Sequence, residues 1–388
     1  MPSEPATSSH GCLLVVGGRP DTVRKAVGAG LDVVLLQHRD HITIETVKLA
    51  RACIIADYTD WATVEPLVVG AKEAYGFTAA ISLTEPGLEP ASRVNDLFGF
   101  DGNPFQVSRL LRNKLAMRRH LAALGGAAAA ISIAAREAVD VESLYAFGRE
   151  HGYPFVVKPA DLSASVGVHK VEQADQIPEV WSAVEALRSH ADPRWGAFYA
   201  VGPHIAEEYL DGPEYSVEGF TFDGRHVIVA VTDKLVGEDG FIELGHAEPA
   251  RINRRTREAL VSCTKAFLDA IGQRQGASHT EIKLTSSGPK IVEGHNRIGG
   301  DRIVDLLELA YGIDFELLTV AWPFKLVDPL PDDPVPNRAA ATRFFTSPPG
   351  TVMEVLGTAD VSAHPAVFAV DVTVVPGDVI QHGSNLDR

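Results

Sequence analysis

Over the first hundred residues short apolar runs alternate with helical stretches; from Ile205 onward the pattern changes to antiparallel hairpins. Strand–helix alternation builds a parallel sheet covered by helices, whereas successive hairpins build an antiparallel one. The change of pattern along the chain leads to the expectation of an open α/β unit joined to α+β pieces. Its 388 residues suffice for about two to three domains. Residues 12–18, Cys-Leu-Leu-Val-Val-Gly-Gly, read as a buried strand ending in a glycine turn. A helix at 21–29 follows, then strands at 31–37, 52–56 and 78–83 with helical segments between. The first turn reads Gly17-Gly18-Arg19-Pro20-Asp21, so the GxGxxG of dinucleotide sites is absent. This unit therefore reads as scaffold or substrate-binding.

Asn103-Pro104 reads as a helix start and Gly125-Gly126 as its stop. Leucines line one face; Arg109, Arg112, Lys114, Arg118, Arg119 and His120 make the other side basic. A small α+β module is expected next, with helices at 141–151 and 176–189 and strands at 154–158, 166–171 and 197–200. A hairpin with an Asp223-Gly224 turn, a helix at 252–271, a second hairpin at 279–297 and a helix at 301–311 follow. After the proline-rich stretch 329–336 comes a last antiparallel segment, 338–380.

The second hairpin carries the densest chemistry. With its turn centred on Ser287, Glu281 faces Glu293, His279 faces His295 and Ile282 faces Val292. Alternation sends Ile282, Leu284 and Val292 to a core and His279, Glu281, Lys283, Glu293, His295 and Arg297 to the other face. Carboxylates opposite each other repel, a cost that a cation between them removes. Arg297-Ile-Gly299-Gly300-Asp301 follows at once, adding a cation, bare backbone and another acid. Oxygen ligands beside Arg and Lys favour Mg²⁺ shared with phosphate; the two histidines leave a His/Glu zinc or iron site as the alternative. An ordinary exposed polar hairpin face is the competing reading.

Lys158 ends a Phe-Val-Val strand, where a lysine needs a partner. The loop after it, 160–167, is small and hydroxyl-rich, suited to folding N–H groups over a phosphate. In Ile205-Ala-Glu207-Glu208-Tyr209-Leu210-Asp-Gly-Pro-Glu214 a linker between strands could pair with an adenine edge, with an acid beyond it for ribose.

Composition excludes some classes. Lys and Arg number 35 against 51 Asp and Glu, a net charge of −16, which argues against nucleic acid or an anionic membrane as partner. Cys12, Cys53 and Cys263 are scattered with no CxxC, so neither a disulfide framework nor a structural zinc site is expected. No apolar stretch approaches a membrane span and the start has no signal pattern. A cytoplasmic protein is the expectation.

In order, the motifs Asn113-Lys114-Leu-Ala-Met-Arg118, Val156-Val-Lys158-Pro, Ser163-Ala-Ser165-Val-Gly167, Glu207-Glu208-Tyr-Leu210, His279-Thr-Glu281 and Glu293-Gly-His295-Asn296-Arg297-Ile-Gly299-Gly300-Asp301 resemble the ATP-grasp superfamily of carboxylate–amine ligases. The branch that joins amino acids into dipeptides is the nearest in look, and the resemblance spans nearly the whole chain. It implies an ATP-grasp fold: an N-terminal α/β pre-ATP-grasp domain (1–103), a linking helix (104–125), a lid subdomain (126–206) and a C-terminal antiparallel catalytic domain (207–388). It implies ATP and Mg²⁺ as cofactors, two ions, with Mn²⁺ as an alternative. By position Lys114 and Lys158 would hold the ATP phosphates, with Lys234 a further candidate whose competing reading is a surface lysine. The loop of Ser163, Ser165 and Gly167 would cover them; Glu207, Glu208 and Leu210 would line the adenine, largely through backbone, and Glu214 would bind ribose. Glu281 and Glu293 would hold the metal, and Arg297 with the Gly299-Gly300 backbone would steady an acyl phosphate. The family pattern Glu-x-Asn-x-Arg is altered here: His295 takes the middle place and Asn296 sits one later. The third ligand is then Asn296 on an irregular backbone, His295, or none.

The resemblance further implies a carboxylate substrate and an amine substrate, an acyl-phosphate intermediate, and release of ADP and phosphate. Asp301 is a candidate for a substrate ammonium, with capping of the following helix as the competing role; Arg297, Arg302 and His295 are the other substrate candidates. Family members are often dimers, so a homodimer is expected. The chain ends at Gly383-Ser-Asn-Leu-Asp-Arg388, where the family runs on for another strand and helix, so the tail is expected to be trimmed or remodelled. Carboxylation through carboxyphosphate, non-catalytic ATP binding and a dinucleotide-dependent dehydrogenase are the rival functions.

Overall fold

The computed structural model describes residues 10–163, 165–189, 201–237, 242–345 and 347–380. Four apolar runs of the first hundred residues form a parallel sheet. Along the chain these are β1 (Cys12–Val16), α1 (Pro20–Gly28), β2 (Asp32–Gln37), α2 (Ile44–Leu49), β3 (Ala52–Ile55), α3 (Trp61–Tyr75), β4 (Ala79–Ile81) and α4 (Leu88–Phe98). The strand order is β3-β2-β1-β4. β1 is buried along its whole length, which is why it reads as an unbroken apolar run. Leu14, Val16, Val34 and Leu36 pack one face, and Leu13, Val15, Val33 and Leu35 the other.

The expected single helix at 104–125 is two, α5 (Phe105–Arg112) and α6 (Lys114–Leu124), followed by α7 (Gly126–Ala130). Asn113 breaks it: its backbone is extended and its Oδ1 accepts from the Ala116 N–H (2.8 Å), capping α6. Such a cap is worth about 1 kcal/mol. Asn103 caps nothing; its side chain holds the backbone of Arg274 and Gln275. The expected basic face is also partly internal, because Lys114 and Arg118 are buried.

β5 (Ala135–Ala138), α8 (Val141–His151), β6 (Phe155–Pro159), β7 (His169–Val171), α9 (Ile177–Ser189) and β8 (His204–Glu208) form a second unit with sheet order β5-β8-β6-β7. Phe147, Phe155 and Val184 fill its core. The strand expected at 197–200 lies outside the described residues.

The large sheet runs β13-β12-β9-β10-β11-β14 and is antiparallel throughout. It comprises β9 (Glu214–Phe222), β10 (Arg225–Val236), β11 (Glu243–Glu248), β12 (Gly276–Thr285), β13 (Gly288–His295) and β14 (Ala340–Arg343), with α10 (Arg254–Ile271), α11 (Ile303–Tyr311) and α12 (Phe315–Ala321) packed on it. Phe267 of α10, Met117 of α6 and Ile282 share one core, and Phe220, Leu307 and Phe315 share another. β15 (Gly350–Thr351), α13 (Thr358–Ser362) and β16 (Val379–Ile380) are the last elements among the described residues, with Phe345, Met353, Leu356 and Phe368 exposed. Among the described residues no helix is long and apolar enough to cross a membrane.

The β12–β13 register places His279 opposite His295 and Glu281 opposite Glu293, as alternation requires. Beyond Glu281 a bulge shifts it, so Ile282 faces Ile291 rather than Val292. Ile291 takes the core place expected of Val292, and Val292 lines the cleft. α11 starts at Ile303 with Arg302 at its cap position and no side-chain cap, so Asp301 does not cap it.

Candidate functional site

A cleft opens between the second unit and one face of the large sheet. β6 brings Lys158, α6 brings Lys114, the 204–210 segment brings Glu207, Glu208 and Leu210, and the large sheet brings Glu214, Lys234, Glu281, Glu293 and His295. Ser163, Ser165, Arg297, Gly300 and Asp301 also line it. Gly299 packs its backbone near His279 and Ile303, and Gly167 packs against Leu187; neither reaches the cleft wall.

The two facing carboxylates sit in a field of built-in cations. Lys114 Nζ lies 2.8 Å from Glu293 Oε2 and donates to the Leu162 carbonyl (2.6 Å). Burial works to raise the Glu293 carboxyl, but Lys114 and then His295 hold it well below the usual carboxylate range. Lys234, buried, meets Glu281 (2.7 Å), Glu214 (3.0 Å) and Glu243 (2.5 Å). Burial opposes its charge, yet Glu281, Glu214 and Glu243 together raise it well above the ordinary lysine value. Lys234 is thus internal, not a surface lysine. Against burial and the repulsion of Glu293, Lys234 and His279 keep Glu281 ionised. The pair fits a hard divalent cation: two ionised oxygen donors face each other across adjacent strands, and their repulsion is relieved by a charge between them.

Two imidazoles back the pair. His279 donates from Nδ1 to Glu218 Oε1 (2.8 Å) and from Nε2 to Glu281 Oε1 (3.3 Å). Burial disfavours its charged form, but Glu218 and then Glu281 push it up to about 10. His295 lies between Glu85 Oε2 (3.0 Å from Nδ1) and Glu293 Oε1 (3.1 Å from Nε2), and the two rings stack at 5.9 Å. Arg297 Nε donates to Glu85 (2.6 Å), so this acid of the segment after β4 orients both the arginine and the histidine. Burial would raise Glu85, but His295 and Arg297 hold it far below the usual range.

Glu207 lines the cleft beside Glu208 and Leu210. Its side chain is buried between Arg118 (2.8 Å) and Lys158 (2.6 Å). Burial pushes its carboxyl up, but Arg118 and then Lys158 bring it down to about 2. Asn296 is not beside the carboxylates: its Nδ2 donates to Ser108 (2.8 Å), because alternation along the strand turns it to the opposite face. Arg302 is exposed, paired with Asp305 and Asp371, and does not line the cleft. Sequence reasoning named Arg118 without giving it a role and missed Glu85, Glu218, Glu243 and His246. Glu243, His246 and Asp301 bring ligand atoms within 4.8 Å of one another at the cleft edge. An acid just past the carboxyl end of a parallel strand was the available signal for Glu85.

Two segments of the chain match known protein families. Residues 151–305 match an ATP-grasp domain, and residues 343–388 match the L-amino acid ligase C-terminal domain 2. The chain is 27% identical over 266 residues to the alanine–anticapsin ligase of Bacillus subtilis, covering 65% of this chain and 55% of that protein. The chain thus spans about half the length of the first curated relatives it matches. An L-arginine-specific L-amino acid ligase of B. subtilis is 24% identical over 84% of this chain and 77% of its own. The crystal structure of an L-amino acid ligase from Bacillus licheniformis superposes with a TM-score of 0.81 at 23% identity, over 97% of this chain and 92% of that one. That likeness shows the fold, α/β and α+β in the ATP-grasp arrangement.

Proposed function

We propose, from the premise that the chain carries an ATP-grasp domain and an L-amino acid ligase C-terminal domain, that it is an ATP-dependent ligase that joins the carboxylate of an amino acid or small carboxylic acid to an amine, most simply that of a second amino acid. The observation that carries this reading is the facing pair Glu281 and Glu293, each met by a buried lysine, in one cleft with Lys158 and Arg297. Lys114, Lys158 and Lys234 bind the phosphates of ATP, under the loop that holds Ser163 and Ser165. The adenine lies along Glu207, Glu208 and Leu210, and Glu214 takes the ribose. Glu281 and Glu293 would hold Mg²⁺, which when bound adds positive charge to the phosphates.

In the first step a carboxylate oxygen bonds to the γ-phosphorus while the bond to ADP breaks. In the second the amine nitrogen bonds to the acyl carbon, phosphate leaves with the electron pair of its C–O bond, and the nitrogen loses a proton to solvent. Arg297, held by Glu85, neutralises the acyl phosphate beside the Gly300 backbone, and Asp301 receives a substrate ammonium. Catalysis is then alignment and charge neutralisation, with no covalent enzyme intermediate. A substrate labelled with ¹⁸O in its carboxylate tests the order of bonds: one ¹⁸O should appear in the released phosphate. Unlabelled phosphate, with ADP release dependent on bicarbonate, would contradict the reading.

A further inference from the structure

Glu218 is fully buried in the middle of the large sheet, a costly place for a carboxylate. One of its oxygens, Oε2, is buried with no hydrogen-bond partner among the described residues. The other accepts from His279 Nδ1 at 2.8 Å, directly across the β9–β12 ladder. Glu248, itself fully buried on β11, offers no compensating charge; its Oε1 accepts from Thr232 (2.8 Å) and its Oε2 is also unpartnered among the described residues. An apolar residue or a glutamine would suit this interior better. What the carboxylate does is fix one imidazole, whose far nitrogen ends on Glu281 Oε1. Lys234 reaches the same oxygen, so both contacts leave Glu281 Oε2 for a ligand.

We propose that Glu218 is a positioning residue: acting through His279, it fixes the rotamer of Glu281 so that this carboxylate meets the divalent cation in one pose. The inference rests on the metal reading given above. Partners behind metal-binding groups fix their orientation, and losing one typically weakens metal binding about 10–100-fold.

The test reads metal binding, not turnover. Mn²⁺ bound to the full chain in the presence of a non-hydrolysable ATP analogue is counted by electron paramagnetic resonance. Glu218→Gln keeps the shape and removes the charge; it should bind Mn²⁺ about 10–100-fold more weakly with its melting temperature little changed. His279→Asn keeps a donor for Glu218 at the place of Nδ1 but cannot reach Glu281, and should show the same loss. If Glu218→Gln fails to fold, His279→Asn alone decides. Wild-type Mn²⁺ affinity in a folded variant of either kind overturns the inference. No bound Mn²⁺ in the wild-type chain overturns the metal reading itself, and this inference with it.

Discussion

Lys158 rests 2.6 Å from a buried glutamate that Arg118 also holds. Its amine is therefore placed before any nucleotide arrives. Lys158→Ala should weaken binding of an ATP analogue about 10–100-fold, the equivalent of the ~1.5–3 kcal/mol of a charged hydrogen bond; calorimetric titration checks this, and unchanged affinity contradicts the phosphate role. Glu293→Gln should lower ligation by roughly 10²-fold or more while circular dichroism stays native, since the side chain faces the cleft. Lys114, Lys158, Glu281, Glu293 and Arg297 were legible because each stands in a short motif on a readable strand or helix. Glu85 was not: its bond to Arg297 spans 212 positions, and only folding brings them together. Arg118 read only as part of a basic helix side, because its partner Glu207 is 89 positions away. Of the three alternatives left open for a third ligand, Asn296 lies just past the end of β13 and turns to Ser108 instead.

At the scale of the element, the β12–β13 hairpin decides whether the two carboxylates meet. Its hydrophobic alternation gave the pairing of Glu281 with Glu293, but a bulge is a backbone event without a side-chain period, and the exchange of Ile291 for Val292 was not readable. Gly294 shows how close the packing is behind the site: a Cβ there would stand 2.4 Å from the Phe267 ring. Gly294→Ala should push the hairpin off α10 and cost about 1–3 kcal/mol as overpacking, read as a lower denaturant midpoint. A midpoint equal to wild type would mean that this face of the hairpin is looser than described. The break between α5 and α6 could have been read from Asn113, a favoured cap residue, had the leucine stripe across it not suggested one continuous helix.

At the scale of the molecule, two buried groups of the second unit make the fold acid-sensitive. His204 is buried; burial and then Arg188 lower its pKa from 6.5 to about 4. Its neutral form is the one that fits, so its contribution is complete above pH 6.5 and is lost as pH falls from 6.5 through 4. Glu207, lowered from 4.5 to about 2, adds stability that is complete above 4.5 and fades as pH falls toward 2. Melting temperature should therefore decline below pH 6.5 and again below 4.5. His204→Phe should flatten the upper part of that decline; an unchanged slope in this variant would remove His204 as its source. The plan of the three larger sheets was legible, because the change from strand–helix alternation to hairpins is written along the chain. How the sheets close on one cleft was not, because it depends on contacts such as Glu85 with Arg297.

In the proposed function one cleft, lined by Lys114, Lys158, Glu281, Glu293 and Arg297, joins a carboxylate to an amine with ATP. The direct test is ADP release with Mg-ATP across a matrix of amino acids, singly and in pairs, with mass spectrometry of the products. ADP that depends on the amine partner, together with a new amide mass, is the predicted result. ADP released without any amide, or none on any pair although ATP is bound, would contradict it.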